Sequence, residues 1–242
     1  MSLQQRKEAF VALGVFLSQF SRKEILRKEN IPHNDLFFDA FQMQIDRAQE
    51  FNGWFTKDNV LFAVESWSQA LQAENLDKWT SSYTFKNNSP KRIAVIMAGN
   101  IPMVGFHDFL SVLITGHSLL AKLSSNDKNF LPMLGKYLQY TLPEFKEKIK
   151  FTEGKLTDYD AVIATGSDNT ARYFDYYFGK HPHIIRQNRN TVAILSGDED
   201  QKTLEHMSDD IFRYFGLGCR SISKIYLPYG FDLNRIFKAV FK

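Results

Sequence analysis

The chain has 242 residues, of which 44% are hydrophobic, enough to bury the core of one or two domains. Its net charge of +3 is too small to indicate nucleic-acid binding, and no apolar run approaches the ~20 residues of a membrane helix. The single cysteine excludes an internal disulfide framework and is typical of a reducing compartment, so we expect a cytoplasmic protein without a membrane span.

The first third of the chain is predicted to be helical. Apolar residues recur at helical spacing from Phe10 to Phe20, and further helices are predicted from about Leu36 to Glu50 and from Lys57 to Ala73. The chain contains 22 phenylalanines, which we expect to fill the core rather than line an apolar channel. Residues 86–91 are predicted to be a polar connector.

From residue 92 the pattern changes to short apolar runs that alternate with helical segments. The predicted strands are 92–98, 118–123, 159–164, 184–186, 191–195 and 224–227, and the predicted helices are 105–113, 130–142, 170–178, 199–214 and 231–241. This alternation predicts an α/β fold with a doubly wound parallel sheet. The aromatic side chains Tyr173, Phe174, Tyr176 and Tyr177 are predicted to pack.

Small polar residues mark three of the turns that lead from a strand into a helix. These turns are Gly99-Asn100, Ser124–Asn126 and Gly166-Ser167. Because ligands bind at the carboxyl ends of the strands in an open α/β sheet, the three turns are expected to face one crevice. The glycine fingerprint G-x-G-x-x-G is absent, and each turn alone also fits a tight turn or a helix cap.

The only cysteine, Cys219, is a candidate nucleophile. It lies in the run Tyr214–Ser223, where two glycines, Arg220 and two serines replace the apolar neighbours typical of a buried cysteine. The glycines allow close approach of a substrate, and a neighbouring positive charge favours the reactive thiolate.

Four motifs in chain order carry a resemblance to a known superfamily. Gly99–Pro102, Lys122–Ser125, Thr165–Ser167 and Gly218-Cys219 together resemble the aldehyde dehydrogenase superfamily. Three longer phrases, Ala164–Arg172, Arg186–Asn190 and Phe215–Lys224, look like the acyl-CoA reductases of the bioluminescence type, which make fatty aldehydes. The resemblance covers roughly residues 90–230.

The resemblance implies a role for each matched residue. Cys219 would attack a thioester carbonyl and expel CoA, while the Asn100 amide and the Cys219 backbone N–H would stabilise the oxyanion. Lys122 would hold the adenosine ribose, and Gly166 and Ser167 would face the pyrophosphate at a helix N-terminus. The complete cofactor set implied is Ala98, Gly99, Lys122, Ser124, Ser125, Thr165, Gly166 and Ser167, and no metal is expected.

Two departures from the superfamily's aldehyde oxidisers favour NADPH as the cofactor and reduction as the reaction, respectively. Ser125 stands where those that prefer NAD commonly have a glutamate, and a serine would not repel a 2′-phosphate, so NADPH is predicted over NADH. The motif that carries the oxidisers' water-activating glutamate falls on Arg186–Arg189, which has no carboxylate and so no such base. Two roles stay open for Arg186 and Arg189, namely contacts with CoA phosphates and structural ion pairs. His107 is expected to cap its helix or face solvent.

We therefore expect an aldehyde-dehydrogenase-like fold with a helical N-terminal region (1–88), a Rossmann-like cofactor domain (89–196) and the start of an incomplete catalytic domain (197–242). The predicted activity is NADPH-dependent reduction of a fatty acyl-CoA to the aldehyde, and turnover by this chain itself is expected to be weak or absent because its catalytic domain is incomplete. A reductase of another activated acid, such as an acyl phosphate, and a non-catalytic binding module stay open. Pairing of an exposed sheet edge in a homo-oligomer or with a partner is also expected.

Overall fold

The structure is a computed structural model that describes residues 1–85, 89–187 and 189–241. The chain divides into two compact units, Met1–Gln187 and Asn188–Lys242. The predicted domain boundaries at 88/89 and 196/197 stay predictions, and residues 86–88 of the predicted connector lie outside the described residues. Within the described residues, no helix is both long and apolar enough to cross a bilayer.

The N-terminal region is helical, as predicted. Its first helix begins at a capping box in which Ser2 and Gln5 satisfy each other's backbone N–H groups. A left-handed His33 precedes the second helix, and the Thr56 side chain caps the fourth. The helices are α1 (Leu3–Leu17), α2 (Asn34–Asp46), α3 (Ala48–Phe51), α4 (Lys57–Ala70) and α5 (Ala73–Ser81).

Phenylalanine fills the core of the first unit, which confirms the packing prediction. Phe10, Phe16, Phe20 and Phe41 are fully buried. The Phe16 ring lies 4.6 Å from the ring of the equally buried Tyr137, and the Phe10 ring contacts the rings of Phe106 and Phe109. The helical region is therefore joined to the α/β part of the same unit by a continuous aromatic core.

A five-stranded parallel sheet forms the rest of the first unit, with strand order β3-β2-β1-β4-β5. The chain moves outward from β1 in one direction and from β4 in the other, so the switch point lies between β1 and β4. This order, with growth in both directions from the central pair, is that of a doubly wound sheet, as predicted. The elements are β1 (Arg92–Ile96), α6 (Phe106–Ile114), β2 (Ser118–Lys122), α7 (Phe130–Thr141), β3 (Ile149–Thr152), β4 (Ala161–Thr165), α8 (Asp168–Phe178) and β5 (His183–Arg186).

Two sequence predictions for this unit were wrong. Edge strand β3 was not predicted, because its run Ile149–Thr152 is only four residues long and has a charged lysine between its apolar residues. Phe174 is half-buried and packs against the core as predicted, but Tyr173, Tyr176 and Tyr177 are 65–81% exposed. Helix α8 turns only one side to the sheet, and the three tyrosines lie on its other side.

The second unit is a small α/β layer. It contains β6 (Thr191–Ile194), α9 (Gln201–Phe212), β7 (Ile222–Tyr226) and α10 (Asn234–Val240). The predicted strand 191–195 is present as β6, but it pairs with β7 in a separate two-stranded parallel sheet. Leu204 and Met207 of α9 pack with Ile236 and Ala239 of α10 as the buried core of this unit.

Candidate functional site

The carboxyl ends of the central strands form one edge of the large sheet. The register pairs Ile96 of β1 with Lys122 of β2 and with Ala164 of β4, and it pairs Thr165 with Arg186 of β5. The segments that follow β1, β2 and β4 therefore leave the sheet side by side. The three turns that were predicted from their glycine and serine residues lie at this edge.

The turns after β1 and β2 are in direct contact at Gly99. A Cβ added to Gly99 would lie 2.5 Å from Ser124 Oγ and 3.1 Å from the backbone nitrogen of Asp127. Gly99 does not have a positive φ, so the glycine serves close approach of two loops rather than a left-handed turn. Ser124 does not cap α7, and its Oγ instead accepts from the Asn126 N–H at 3.2 Å within its own turn.

The turn after β4 is packed against its own helix. A Cβ on Gly166 would lie 2.9 Å from the Phe174 ring and 3.0 Å from Thr170, so this glycine also serves close packing. Ser167 is the N-cap of α8 and accepts from the Thr170 N–H, which confirms the helix-cap alternative for this serine. The Gly166 N–H donates to the Arg186 carbonyl at 3.1 Å, which ties this turn to the end of β5.

An ion pair crosses the same edge. The Arg186 guanidinium lies 2.6 Å from Oδ2 of Asp108, a buried residue in the first turn of α6. Burial acts to raise the pKa of Asp108, but His107 and Arg186 together outweigh burial and hold the pKa below its usual value. The His107 Nδ1 is 3.7 Å from Asp108 Oδ1, which is too long for a hydrogen bond, and its side chain is exposed. Arg186 thus forms a structural pair, and His107 faces solvent as expected.

Asp127 is a residue of this edge that the sequence analysis missed. It lies in the polar run Ser124–Asn129, where nothing in the sequence signals burial, yet it is only 6% exposed. Its Oδ2 accepts from the Met103 N–H at 2.7 Å, and its buried Oδ1 has no hydrogen-bond partner among the described residues. Burial raises the pKa of Asp127 to about 6, against the hydrogen bond from Met103.

The predicted cofactor residues differ in their exposure at this edge. Gly99 is buried, while Asn100, Ser125 and Ser167 are exposed; Ala98, Lys122, Ser124, Thr165 and Gly166 are half-buried. None of these side chains is a carboxylate, and Lys122 is the one charged residue among them. The set therefore fits an anionic nucleotide, with glycines where backbone must approach closely and the α8 N-terminus at the same edge. Which of these residues touch a cofactor stays a prediction.

Cys219 belongs to the second unit, where it lies on a tight turn. The Ser221 N–H donates to the Gly218 carbonyl at 3.0 Å, so Cys219 and Arg220 are the two central residues of a turn that leads into β7. The thiol is exposed. Tyr214, Phe215 and Gly216 just before it all have positive φ, and such backbone in two non-glycine residues is unusual.

One groove of the first unit lies away from these residues. It has a volume of about 800 Å³ and runs along α6 between Trp79 and His117, and no predicted site residue lines it. The described part of the chain holds no group of three or more His, Cys, Asp or Glu side chains that could bind a metal ion.

Comparison with known proteins identifies the fold. No protein-family model matches the sequence, and no curated protein matches it. Solved structures do match: aldehyde dehydrogenase 21 of Physcomitrella patens, in complex with the reaction product succinate, has a TM-score of 0.67 at 12% identity. The match covers 99% of this chain and 51% of that one.

Two further structures agree with this result. A NAD-dependent benzaldehyde dehydrogenase of Corynebacterium glutamicum has a TM-score of 0.68 at 11% identity and is matched over 100% of this chain and 55% of its own. A mutant of the indole-3-acetaldehyde dehydrogenase AldA of P. syringae, in complex with NAD+ and IAA, has a TM-score of 0.59 at 14% identity over 99% and 50%.

The fold is thus that of the aldehyde dehydrogenases, as the resemblance implied. The chain spans about half the length of the solved structures that it matches.

Proposed function

We propose that this chain carries the nucleotide-binding part and the nucleophile of an NADPH-dependent acyl-CoA reductase that forms fatty aldehydes. The observation that carries the proposal is an exposed Cys219 on a glycine-flanked turn, in a chain with an aldehyde-dehydrogenase-like fold. Ser125, exposed at the carboxyl edge, favours NADPH because it adds no negative charge beside a 2′-phosphate.

In the proposed reaction, the Cys219 thiolate attacks the carbonyl carbon of the thioester. The carbon–sulfur bond to CoA breaks, CoA leaves as a thiolate, and the acyl group remains on Cys219 as a new thioester. The Asn100 amide and the Cys219 N–H are the proposed donors to the oxyanion, and one such donor is worth about 3–4 kcal/mol. NADPH, when bound, supplies a hydride to the acyl carbon. The second carbon–sulfur bond then breaks, which releases the aldehyde and restores the Cys219 thiolate.

The residues at the end of β5 support reduction over hydrolysis of the acyl group. A guanidinium donates hydrogen bonds and has no acceptor, so Arg186 cannot take a proton from a water molecule. The nearest buried carboxylate, Asp108, is already paired with Arg186. Neither side chain of this pair is therefore available as the base that hydrolysis needs.

The proposal is tested by intact mass after incubation of the chain with myristoyl-CoA. We expect an added acyl mass that hydroxylamine removes and that Cys219→Ala never shows; because the chain has one cysteine, this variant is thiol-free. A chase with NADPH then tests hydride transfer, which would release the acyl group as aldehyde. If acyl phosphate competes with myristoyl-CoA and free CoA does not inhibit, the substrate would be an acyl phosphate instead of an acyl-CoA. Absence of any adduct, while iodoacetamide still alkylates the thiol, would favour a non-catalytic binding module.

A further inference from the structure

Asp127 links the two loops that meet at the carboxyl edge of the sheet. Its neighbours Asn126 and Lys128 are exposed, yet Asp127 itself is buried. Its N–H donates to the Ser124 carbonyl at 3.2 Å. A Cβ added to Gly99 would lie 3.1 Å from the same backbone nitrogen. The backbone of Asp127 thus belongs to the turn after β2 and packs against the loop after β1.

The carboxylate holds the far end of the loop after β1. Oδ2 accepts from the N–H of Met103, which is fully buried and has a φ of +55°. A non-glycine residue with positive φ is strained and persists only where its surroundings hold it. Met103 is also the residue whose carbonyl accepts from the Phe106 N–H at the start of α6. Asp127 therefore fixes the point at which residues 97–105 enter the helix.

A buried carboxylate in this role costs folding free energy, because its charge is removed from water. It is buried with one hydrogen bond, and its second oxygen has no partner among the described residues. A neutral amide would make the same bond to Met103 without a desolvated charge. Strained and costly arrangements of this kind cluster at functional sites.

We infer that Asp127 is a positioning residue of the nucleotide edge, which holds residues 97–105 against the turn after β2 and so sets the position of Gly99 and Asn100. The inference rests on the proposed function, because that proposal supplies the nucleotide as the ligand of this edge. Asp127 is buried and acts through the loop, not by touching the ligand.

The test compares Asp127→Ala, Asp127→Asn and a control in the full chain. The control is Asn34→Ala, which removes an equally buried polar side chain that bonds Gln19 and Lys28 in the helical region. Amide hydrogen exchange of residues 97–105 reports on the loop, and quenching of NADPH fluorescence reports on binding. Loss of one hydrogen bond to a charged group predicts about tenfold faster exchange and about tenfold weaker NADPH binding in Asp127→Ala.

Asp127→Asn is expected to restore both values, because its amide oxygen accepts the same bond, and Asn34→Ala is expected to lose stability with neither value changed. Unchanged exchange in Asp127→Ala would overturn the inference, as would faster exchange with unchanged NADPH binding. A wild-type chain that does not bind NADPH would instead overturn the proposed function together with the inference. If Asp127→Ala does not fold, Asp127→Ser replaces it, because its shorter side chain ends short of the Met103 amide.

Discussion

At the scale of single residues, the charge on Asp127 makes the stability of the protein depend on pH. The folded-state pKa of about 6 lies above the usual value of 3.8, so folding favours the protonated acid. Stability from this group is therefore fully present below pH 4, declines as the pH rises from about 4 to 6, and is constant above.

We expect Asp127→Asn to remove this decline. From pH 5 to pH 8, the wild-type free energy of unfolding is expected to fall by about 1–2 kcal/mol more than that of the variant. Urea unfolding at the two pH values measures this difference, and groups common to both proteins cancel. Equal pH dependence in the two proteins would show that Asp127 is ionised as readily in the folded as in the unfolded chain.

Ser125 carries the prediction on cofactor choice. If NADPH binds as proposed, a carboxylate at this exposed position would lie beside its 2′-phosphate, and two charges 4 Å apart repel by about 1 kcal/mol in water and more near a protein surface. Ser125→Glu is therefore expected to weaken NADPH binding about tenfold and to leave NADH binding within about threefold. Equilibrium titration with each nucleotide checks this; Ser125→Gln, of the same shape without the charge, is the control. Equal losses for both nucleotides would place the 2′-phosphate elsewhere.

At the scale of elements, the contact between the loops after β1 and β2 depends on Gly99. Because an added Cβ would overlap Ser124 Oγ and Cβ, Gly99→Ala must displace one loop, and overpacking of this kind costs about 1–3 kcal/mol. Gly53→Ala is the matched control, since nothing lies within 4 Å of its added Cβ and its φ is not positive. Thermal unfolding measures the loss of stability in each variant, and NADPH titration measures the effect on nucleotide binding. A Gly99→Ala protein as stable as Gly53→Ala would contradict the close approach of the two loops.

The Asp108–Arg186 pair joins the start of α6 to the end of β5. Arg186→Met leaves the buried carboxylate unpaired and is expected to cost about 3 kcal/mol of unfolding free energy at pH 7. The double variant Asp108→Asn with Arg186→Met removes that charge and is expected to recover much of the loss. Urea unfolding of both single variants and the double variant gives the coupling energy. Additive losses would mean that the pair contributes nothing to stability. Arg47→Met, which breaks an exposed pair with Glu50, is expected to cost less than about 1 kcal/mol.

The same elements show how far sequence alone reaches. Strands β1, β2 and β4 were predicted because each is a buried apolar run bounded by turn residues, and the register then brings their turns together. Strand β3 was missed because an edge strand buries less and alternates. Asp127 could not be predicted, since its burial depends on contact with Gly99, 28 positions away in the chain. The pairing of Arg186 was left open for the same reason, because its partner Asp108 is remote in sequence.

At the scale of the whole molecule, the two units are expected to differ in stability. The first contains the five-stranded sheet and most of the buried residues, whereas the second has about 55 residues and, among those described, a core of four buried side chains. A unit of this size is marginal, and a two-stranded sheet adds little. We therefore expect hydrogen exchange to show α9, α10, β6 and β7 opening at lower urea than the large sheet. A single coincident transition for all elements would contradict this.

The expected difference in stability between the two units allows a test of whether Cys219 is an activated nucleophile or an ordinary thiol. At a urea concentration that unfolds the second unit alone, acylation of Cys219 by myristoyl-CoA is expected to stop, because groups arranged around the thiol no longer stabilise the oxyanion. Alkylation by iodoacetamide is expected to continue, because it needs only an accessible thiolate, and Cys219 is already exposed in the folded chain. Intact mass after each reagent, with and without urea, gives the two rates in one experiment. If acylation persists in the unfolded unit at the folded rate, the surroundings of Cys219 contribute nothing to its chemistry, and the reductase proposal fails.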